Sequence, residues 1–203
     1  MKRIIRETQV KICGITTVED GVMASELGAD ALGFVFAQSK RKISPDTARN
    51  IIKNLHPFIT TVGVFMNEKI KNIHQIADYT GIDVIQLHGT EPPEYCRKIK
   101  KRVIKRINVS ENDTTATLIK KIEKYPASAF LLDPGAGSGQ TFAWEKAIGI
   151  NFPLIIAGGL TAENVKELIR LLKPYGVDVS SGVEVVPGKK DKKKLGKFIE
   201  EVK

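Results

Sequence analysis

Two short apolar runs end in groups able to exchange a proton. Val10-Lys11-Ile12-Cys13 delivers a thiol ahead of Gly14-Ile15-Thr16, and Phe130-Leu131-Leu132 delivers the carboxyl of Asp133 ahead of Pro134-Gly135-Ala136-Gly137-Ser138-Gly139. A thiol beside lysine and glycine can be partly ionised, and it can take a proton or attack an electrophile. A carboxyl backed by leucine and covered by a glycine loop is favoured in its neutral, proton-donating form. Each has an ordinary alternative: an unpaired cysteine is commonly a small buried apolar side chain, and an aspartate commonly starts a turn.

Two glycine-bearing stretches, Gly158-Gly159-Leu160-Thr161 and Ser180-Ser181-Gly182, follow the last two apolar runs. Backbone N–H groups of such loops, at consecutive final positions of a barrel, form an anion cradle suited to phosphate. The spacing of Gly135, Gly137 and Gly139 suggests a nucleotide fingerprint only superficially, since the required helix packing and acidic ribose partner are missing. Other polar groups at the ends of apolar runs are Arg41 in the basic loop Gln38–Lys42, Gln86 with His88, and Asp178. His88 suits a core position or a site wall equally. His56, His74 and most of the lysine run from Lys189 to Lys194 read as surface, and Cys96 as a shell residue in a helix opened by Pro92-Pro93-Glu94.

The elements that must position these groups repeat. Thr17 to Gly28 has helical spacing and stops at glycine. Ala31 to Phe36 is too short for a helix and reads as a buried strand, and Ser44-Pro45-Asp46 opens the next helix with a cap and a first-turn proline. Strand-loop-helix units then begin near residues 9, 31, 60, 83, 102, 128, 153 and 176, with helical patterns between the strands and a last helix from about Asp191 to Val202. Eight βα units count to a closed α/β barrel, the (βα)8 or TIM fold, and its active groups lie where strands end. An open doubly wound sheet has fewer strands and a glycine fingerprint in its first turn, where Gly14 stands alone here. No linker divides the chain, so residues 1–203 read as one barrel domain with residues 1–8 a short basic extension.

Alternation along strands one and eight turns Lys11, Cys13, Asp178 and Ser180 inward. These strands are neighbours in a closed barrel, so Lys11 and Asp178 are expected to pair beneath the site, because a lone buried charge is costly.

Composition narrows the function. Two distant cysteines suggest neither a disulfide framework nor a zinc site, and fit a reducing cytoplasm. No stretch has the length of a membrane span or the apolar core of a signal peptide. The net charge of +9 suits anionic ligands, but 24 of the 32 basic residues are lysine and aromatics are sparse, which speaks against nucleic acid.

Lys11-Ile12-Cys13-Gly14-Ile15-Thr16, Gly33-Phe34-Val35-Phe36, Ser39-Lys40-Arg41, Gln86-Leu87-His88-Gly89, Leu132-Asp133, Gly158-Gly159-Leu160 and Val177-Asp178-Val179-Ser180-Ser181-Gly182-Val183-Glu184 resemble the phosphoribosylanthranilate isomerase family of tryptophan biosynthesis, in that family's order from about Gln9 onward. The resemblance implies a cofactor-free Amadori rearrangement in a (βα)8 barrel. It implies Asp133 as general acid, Cys13 as general base, Arg41 on the anthranilate carboxylate, and the loops at Gly159 and Ser181 on the phosphate.

The residue chemistry agrees, since an aldose-to-ketose isomerisation needs one group to give a proton and one to take it. Arg106 departs from the family pattern, which has a small residue there, and is placed to narrow the mouth or pair with Asp133. The expected partner is a small phosphorylated substrate, with no metal, nucleic acid or membrane, for a cytoplasmic monomer or homodimer. Two rivals stand beside this reading. The similar isomerase of histidine biosynthesis uses an aspartate where Cys13 stands, and a non-catalytic anion- or nucleic-acid-binding protein would use the lysine surface.

Overall fold

The computed structural model describes residues 7–135 and 140–203. Eight parallel strands close into a barrel in sequence order: β1 (Gln9–Cys13), β2 (Ala31–Val35), β3 (Thr60–Phe65), β4 (Val84–Leu87), β5 (Arg102–Asn108), β6 (Ala129–Asp133), β7 (Leu154–Ile156) and β8 (Gly176–Val179). Closure comes from β8 against β1, with Lys11 opposite Asp178 in the register. Helices α1 (Val18–Glu26), α2 (Pro45–Lys53), α3 (Ile70–Thr80), α4 (Pro93–Lys98), α5 (Thr115–Ile122), α6 (Val165–Leu172) and α7 (Lys192–Val202) cover the outside.

The two-residue strand period divides the core in two layers. Val62, Val84, Ile104, Ala129, Leu131 and Ile155 fill the barrel interior. Val10, Ile12, Leu32, Phe34, Phe130 and Leu132 face outward against the helices. Each such side chain, fully buried, contributes about 1.5–3 kcal/mol of transfer free energy. The helix starts are specified by caps: Thr17 accepts from the Asp20 N–H, Ser44 from Thr47 ahead of Pro45, and Asp191 from Lys193 and Lys194. A cap of this kind contributes about 1 kcal/mol.

One expectation changes. Between β6 and β7 the described residues hold a 3-10 turn over Trp144–Ala147 in place of a full helix. Gly149, at φ 81°, turns the chain away after that single turn. After β8 the chain forms a 3-10 turn (Ser181–Val183) and a hairpin of β9 (Glu184–Val186) and β10 (Lys189–Lys190) before α7. Pro187-Gly188 makes the bend, with Gly188 at φ 87°. Among the described residues no helix is long and apolar enough to cross a membrane. Residues 1–6 of the expected basic extension, and Gly137 and Gly139 of the loop after β6, lie outside the described residues.

Candidate active site

At the C-terminal ends of the strands a cavity of about 500 Å³ is lined by Cys13, Arg41, His88, Asp133, Gly158, Gly159, Asp178, Ser180, Ser181 and Gly182. Every residue singled out above as catalytic or substrate-binding therefore meets at one mouth, although these residues come from six separate strand ends or following loops.

Cys13 sits where β1 ends, over a floor of charge. Lys11 Nζ and Asp178 Oδ1 are 2.8 Å apart and both side chains are buried, the pairing expected from alternation. Gly33 on β2 leaves room for this floor, since a Cβ there would stand 2.9 Å from the Cys13 sulfur and 3.1 Å from Lys11 Nζ. Burial opposes the charge on Lys11, but Asp178 and then Cys13 outweigh it and raise its pKa above the ordinary value. The pull of Lys11 toward an ionised Cys13 meets an opposing influence: burial, with the Asp178 charge, pushes the thiol up more than Lys11 and Lys190 pull it down.

Asp133 ends β6. Its Oδ1 accepts the Gly135 N–H at 2.8 Å, while Oδ2 faces His88 Nε2 and Arg106 Nε, each at 3.8 Å. The pairing foreseen for Arg106 thus exists as a loose contact, with Arg106 Nη2 donating to Asn108 at 2.8 Å. Gln86 and His88 Nδ1 are bonded at 3.1 Å. With the Gln86 amide as donor, the His88 proton lies on Nε2, toward Asp133. Burial, and then the nearby Arg106, Lys11 and Lys105, hold the His88 pKa down at about 3, so the ring is neutral. Gln86 Oε1 and Arg106 Nε are buried and have no hydrogen-bond partner among the described residues.

Loops β7–α6 and β8–α7 meet edge to edge, and a Cβ on Gly182 would collide with the Leu160 carbonyl. Gly158 and Gly159 take φ of 89° and 60°, a left-handed turn open to glycine that re-aims the backbone at the cavity. Asn164 fixes the turn, donating to the Gly159 carbonyl and accepting from the Thr161 N–H, both at 2.9 Å.

Three groups escaped the sequence reading. Glu184 on β9 takes Arg41 Nε at 2.9 Å and Nη2 at 2.6 Å. Lys190, which the surface reading of the lysine run does not single out, is buried and donates to Glu184 at 2.7 Å and to the Cys13 carbonyl at 2.6 Å. Lys105 pairs with Glu91 at 2.7 Å and donates to the Gly89 carbonyl at 2.6 Å, pinning the loop that carries His88. The alternation Val103-Ile104-Lys105 was the available signal for the last, because it turns Lys105 outward under α4. His56 is exposed as expected, whereas His74 is half-buried, with Nε2 enclosed and unpartnered among the described residues. Cys96 packs in the shell.

A closed eight-stranded barrel with a thiol, a carboxyl and two glycine loops around one cavity at its C-terminal mouth has the build of a TIM-barrel enzyme. Residues 10–201 match the family model for N-(5'-phosphoribosyl)anthranilate isomerase. The N-(5'-phosphoribosyl)anthranilate isomerase of Pelobacter propionicus is 49% identical over 199 residues, covering 94% of this chain and 93% of that protein. The crystal structure of phosphoribosyl anthranilate isomerase from Thermotoga maritima superposes with a TM-score of 0.88 at 44% identity, covering 96% of this chain and 98% of that one. A structure of the isomerase in complex with reduced 1-(o-carboxyphenylamino)-1-deoxyribulose 5-phosphate superposes with a TM-score of 0.86 at 41% identity, with the same coverage. The chain belongs to the phosphoribosylanthranilate isomerase family.

Proposed function

We propose that Asp133 and Cys13 are the acid and the base of the Amadori rearrangement of N-(5-phosphoribosyl)anthranilate. The reaction itself, an intramolecular aldose–ketose isomerisation in tryptophan biosynthesis, comes with membership of the family. Asp133 protonates the ribose ring oxygen, and the C1–O bond breaks as the anilino nitrogen lone pair forms C=N. The cationic Schiff base acidifies the C2 proton, and Cys13, having released its own proton to solvent, takes it as thiolate to leave an enolamine. Protonation at C1 and loss of the C2 hydroxyl proton give 1-(2-carboxyphenylamino)-1-deoxyribulose 5-phosphate.

The observation that carries this reading is that Cys13 and Asp133 line one cavity together with Arg41 and both glycine loops. Lys11 and Lys190 stand close enough to favour the thiolate when it forms. His88 Nε2–H faces the Asp133 carboxylate left after proton transfer. Arg41 suits the two oxygens of the anthranilate carboxylate. Gly158, Gly159, Ser181 and Gly182 suit the phosphate with their backbone N–H groups. Asp178 acts from the floor through Lys11, and Ser180 lines the wall between Cys13 and the phosphate loops.

In this reading the ligand is the small phosphorylated substrate. The chain needs no cofactor, nucleic acid or membrane, and works in the cytoplasm as a monomer or homodimer, in a single barrel domain. The test follows the fluorescence of phosphoribosylanthranilate: the chain should consume it catalytically, and decay no faster than in buffer would refute the assignment.

A further inference from the structure

Arg41 has its guanidinium anchored from outside its own loop. Its aliphatic stem crosses Gly14, where a Cβ would collide with Arg41 Cδ. Its guanidinium is gripped from the far end of the chain by Glu184, with Nε to Oε1 at 2.9 Å, Nε to Oε2 at 3.2 Å and Nη2 to Oε2 at 2.6 Å. The same Glu184 Oε1 accepts Lys190 Nζ at 2.7 Å, and Lys190 Nζ reaches the Cys13 carbonyl at 2.6 Å. Glu184 and Lys190 are both buried, on the two strands of the hairpin after β8. Lys194 Nζ donates to the Glu184 carbonyl at 2.9 Å, and the Lys190 N–H donates to Asp20 Oδ2 at 3.0 Å, which ties the hairpin to α7 and α1.

An ion triad buried this deeply is costly to assemble, and replacing one with apolar residues is often neutral or stabilising. Stability is therefore a weak reason for it. Its geometry supplies something else: the guanidinium that meets the substrate and the backbone of the base are bonded to one carboxylate–ammonium pair. We propose that Glu184 and Lys190 are positioning residues that hold Arg41 and Cys13 in one rigid frame, so that the clamp on the substrate carboxylate and the base at C2 keep a fixed separation. The frame rests on Arg41 binding the carboxylate, as read above.

Glu184 holds the Nε and Nη2 edge of Arg41, so the edge left for the substrate is chosen in advance. Burial works against charge on Glu184, but the hydrogen bonds from Arg41 and Lys190 outweigh it and keep the carboxyl below its ordinary range. The clamp is thus already assembled before substrate arrives, and binding need not order a long flexible side chain.

The test compares Glu184→Gln, Arg41→Ala and the double variant in steady-state turnover of phosphoribosylanthranilate, with phosphoribosylaniline as a substrate that lacks the carboxylate. Glu184→Gln should raise KM about tenfold or more, as expected for loss of a charge-assisted bond that aims a binding group, with a smaller change in kcat. In the Arg41→Ala background the same substitution should change KM by less than about twofold, the non-additivity of two residues acting as one unit. With phosphoribosylaniline the KM difference between wild type and Glu184→Gln should collapse, leaving only the smaller change in kcat. Glu184→Asp, which keeps the charge on a shorter arm, should show a smaller KM rise of the same kind and serves if the glutamine variant does not fold. A normal KM in Glu184→Gln beside a raised KM in Arg41→Ala overturns the frame, as do fully additive effects or an equal loss with phosphoribosylaniline. An unchanged KM in Arg41→Ala overturns the carboxylate reading itself, and the frame with it.

Discussion

The two sides of the barrel mouth are built differently. Around Cys13, charges sit in close pairs, Lys11 on β1 with Asp178 on β8 at 2.8 Å and Lys190 with Glu184 in the hairpin of β9 and β10 at 2.7 Å. Around Asp133, whose Oδ1 accepts the Gly135 N–H at 2.8 Å, the charged neighbour Arg106 and the ring of His88 stand off at 3.8 Å, and two buried polar atoms, Gln86 Oε1 and Arg106 Nε, have no hydrogen-bond partner among the described residues. The base side is thus closed by short ion pairs, and the acid side is the more open of the two, held at distances that catalytic hydrogen bonds often shorten only around bound substrate.

The contrast breaks most visibly at the two reacting groups. Cys13→Ser and Asp133→Asn should each lower kcat by about 10²- to 10⁴-fold, the usual contribution of a positioned acid or base, with circular dichroism unchanged. Near-normal turnover in either would dissolve the distinction between the two sides.

On the closed side, Lys11→Met strands Asp178 in the interior and should cost about 3–5 kcal/mol of unfolding free energy, whereas Lys11→Met with Asp178→Leu should recover most of it. Urea unfolding measures both. The same single variant removes a group that favours the thiolate. The limb of the pH–rate profile that rises with deprotonation of Cys13 should therefore move to higher pH.

Arg41→Ala should act mainly on KM, by about tenfold or more for a lost charge-assisted contact, and steady-state kinetics separates this from kcat.

A further effect belongs to the open side and concerns stability. His88 has a folded pKa of about 3 against an ordinary 6.5. Above pH 6.5 neither folded nor unfolded chain protonates it; below that the unfolded chain gains a proton that the folded chain refuses. Wild type should lose stability relative to His88→Gln as pH falls from 6.5 to about 3, and urea midpoints across that range check the sign. A difference independent of pH would mean that His88 charges freely in the folded chain.

Much of this was legible in the sequence because strand alternation and strand-end position are local signals. The eight strands, the inward Lys11 and Asp178 and the common cavity follow from period two and barrel closure. Glu184 and Lys190 were not legible, since Glu184 meets Arg41 across 143 residues of sequence and the hairpin that turns Lys190 inward sits within an otherwise solvated lysine run. One influence on Cys13 was not legible for a related reason: a neighbouring lysine is visible in sequence, but the burial that opposes it is not. The helix expected between β6 and β7 failed on a short segment closed by a left-handed glycine.

A crystal structure of this chain with reduced 1-(o-carboxyphenylamino)-1-deoxyribulose 5-phosphate tests the central claim most directly. The account predicts sugar C2 against the Cys13 sulfur and the former ring oxygen at about 3 Å from an Asp133 carboxyl oxygen, within hydrogen-bond reach. A ligand that places either sugar atom beyond reach of its residue, with phosphate on the glycine loops, would contradict it.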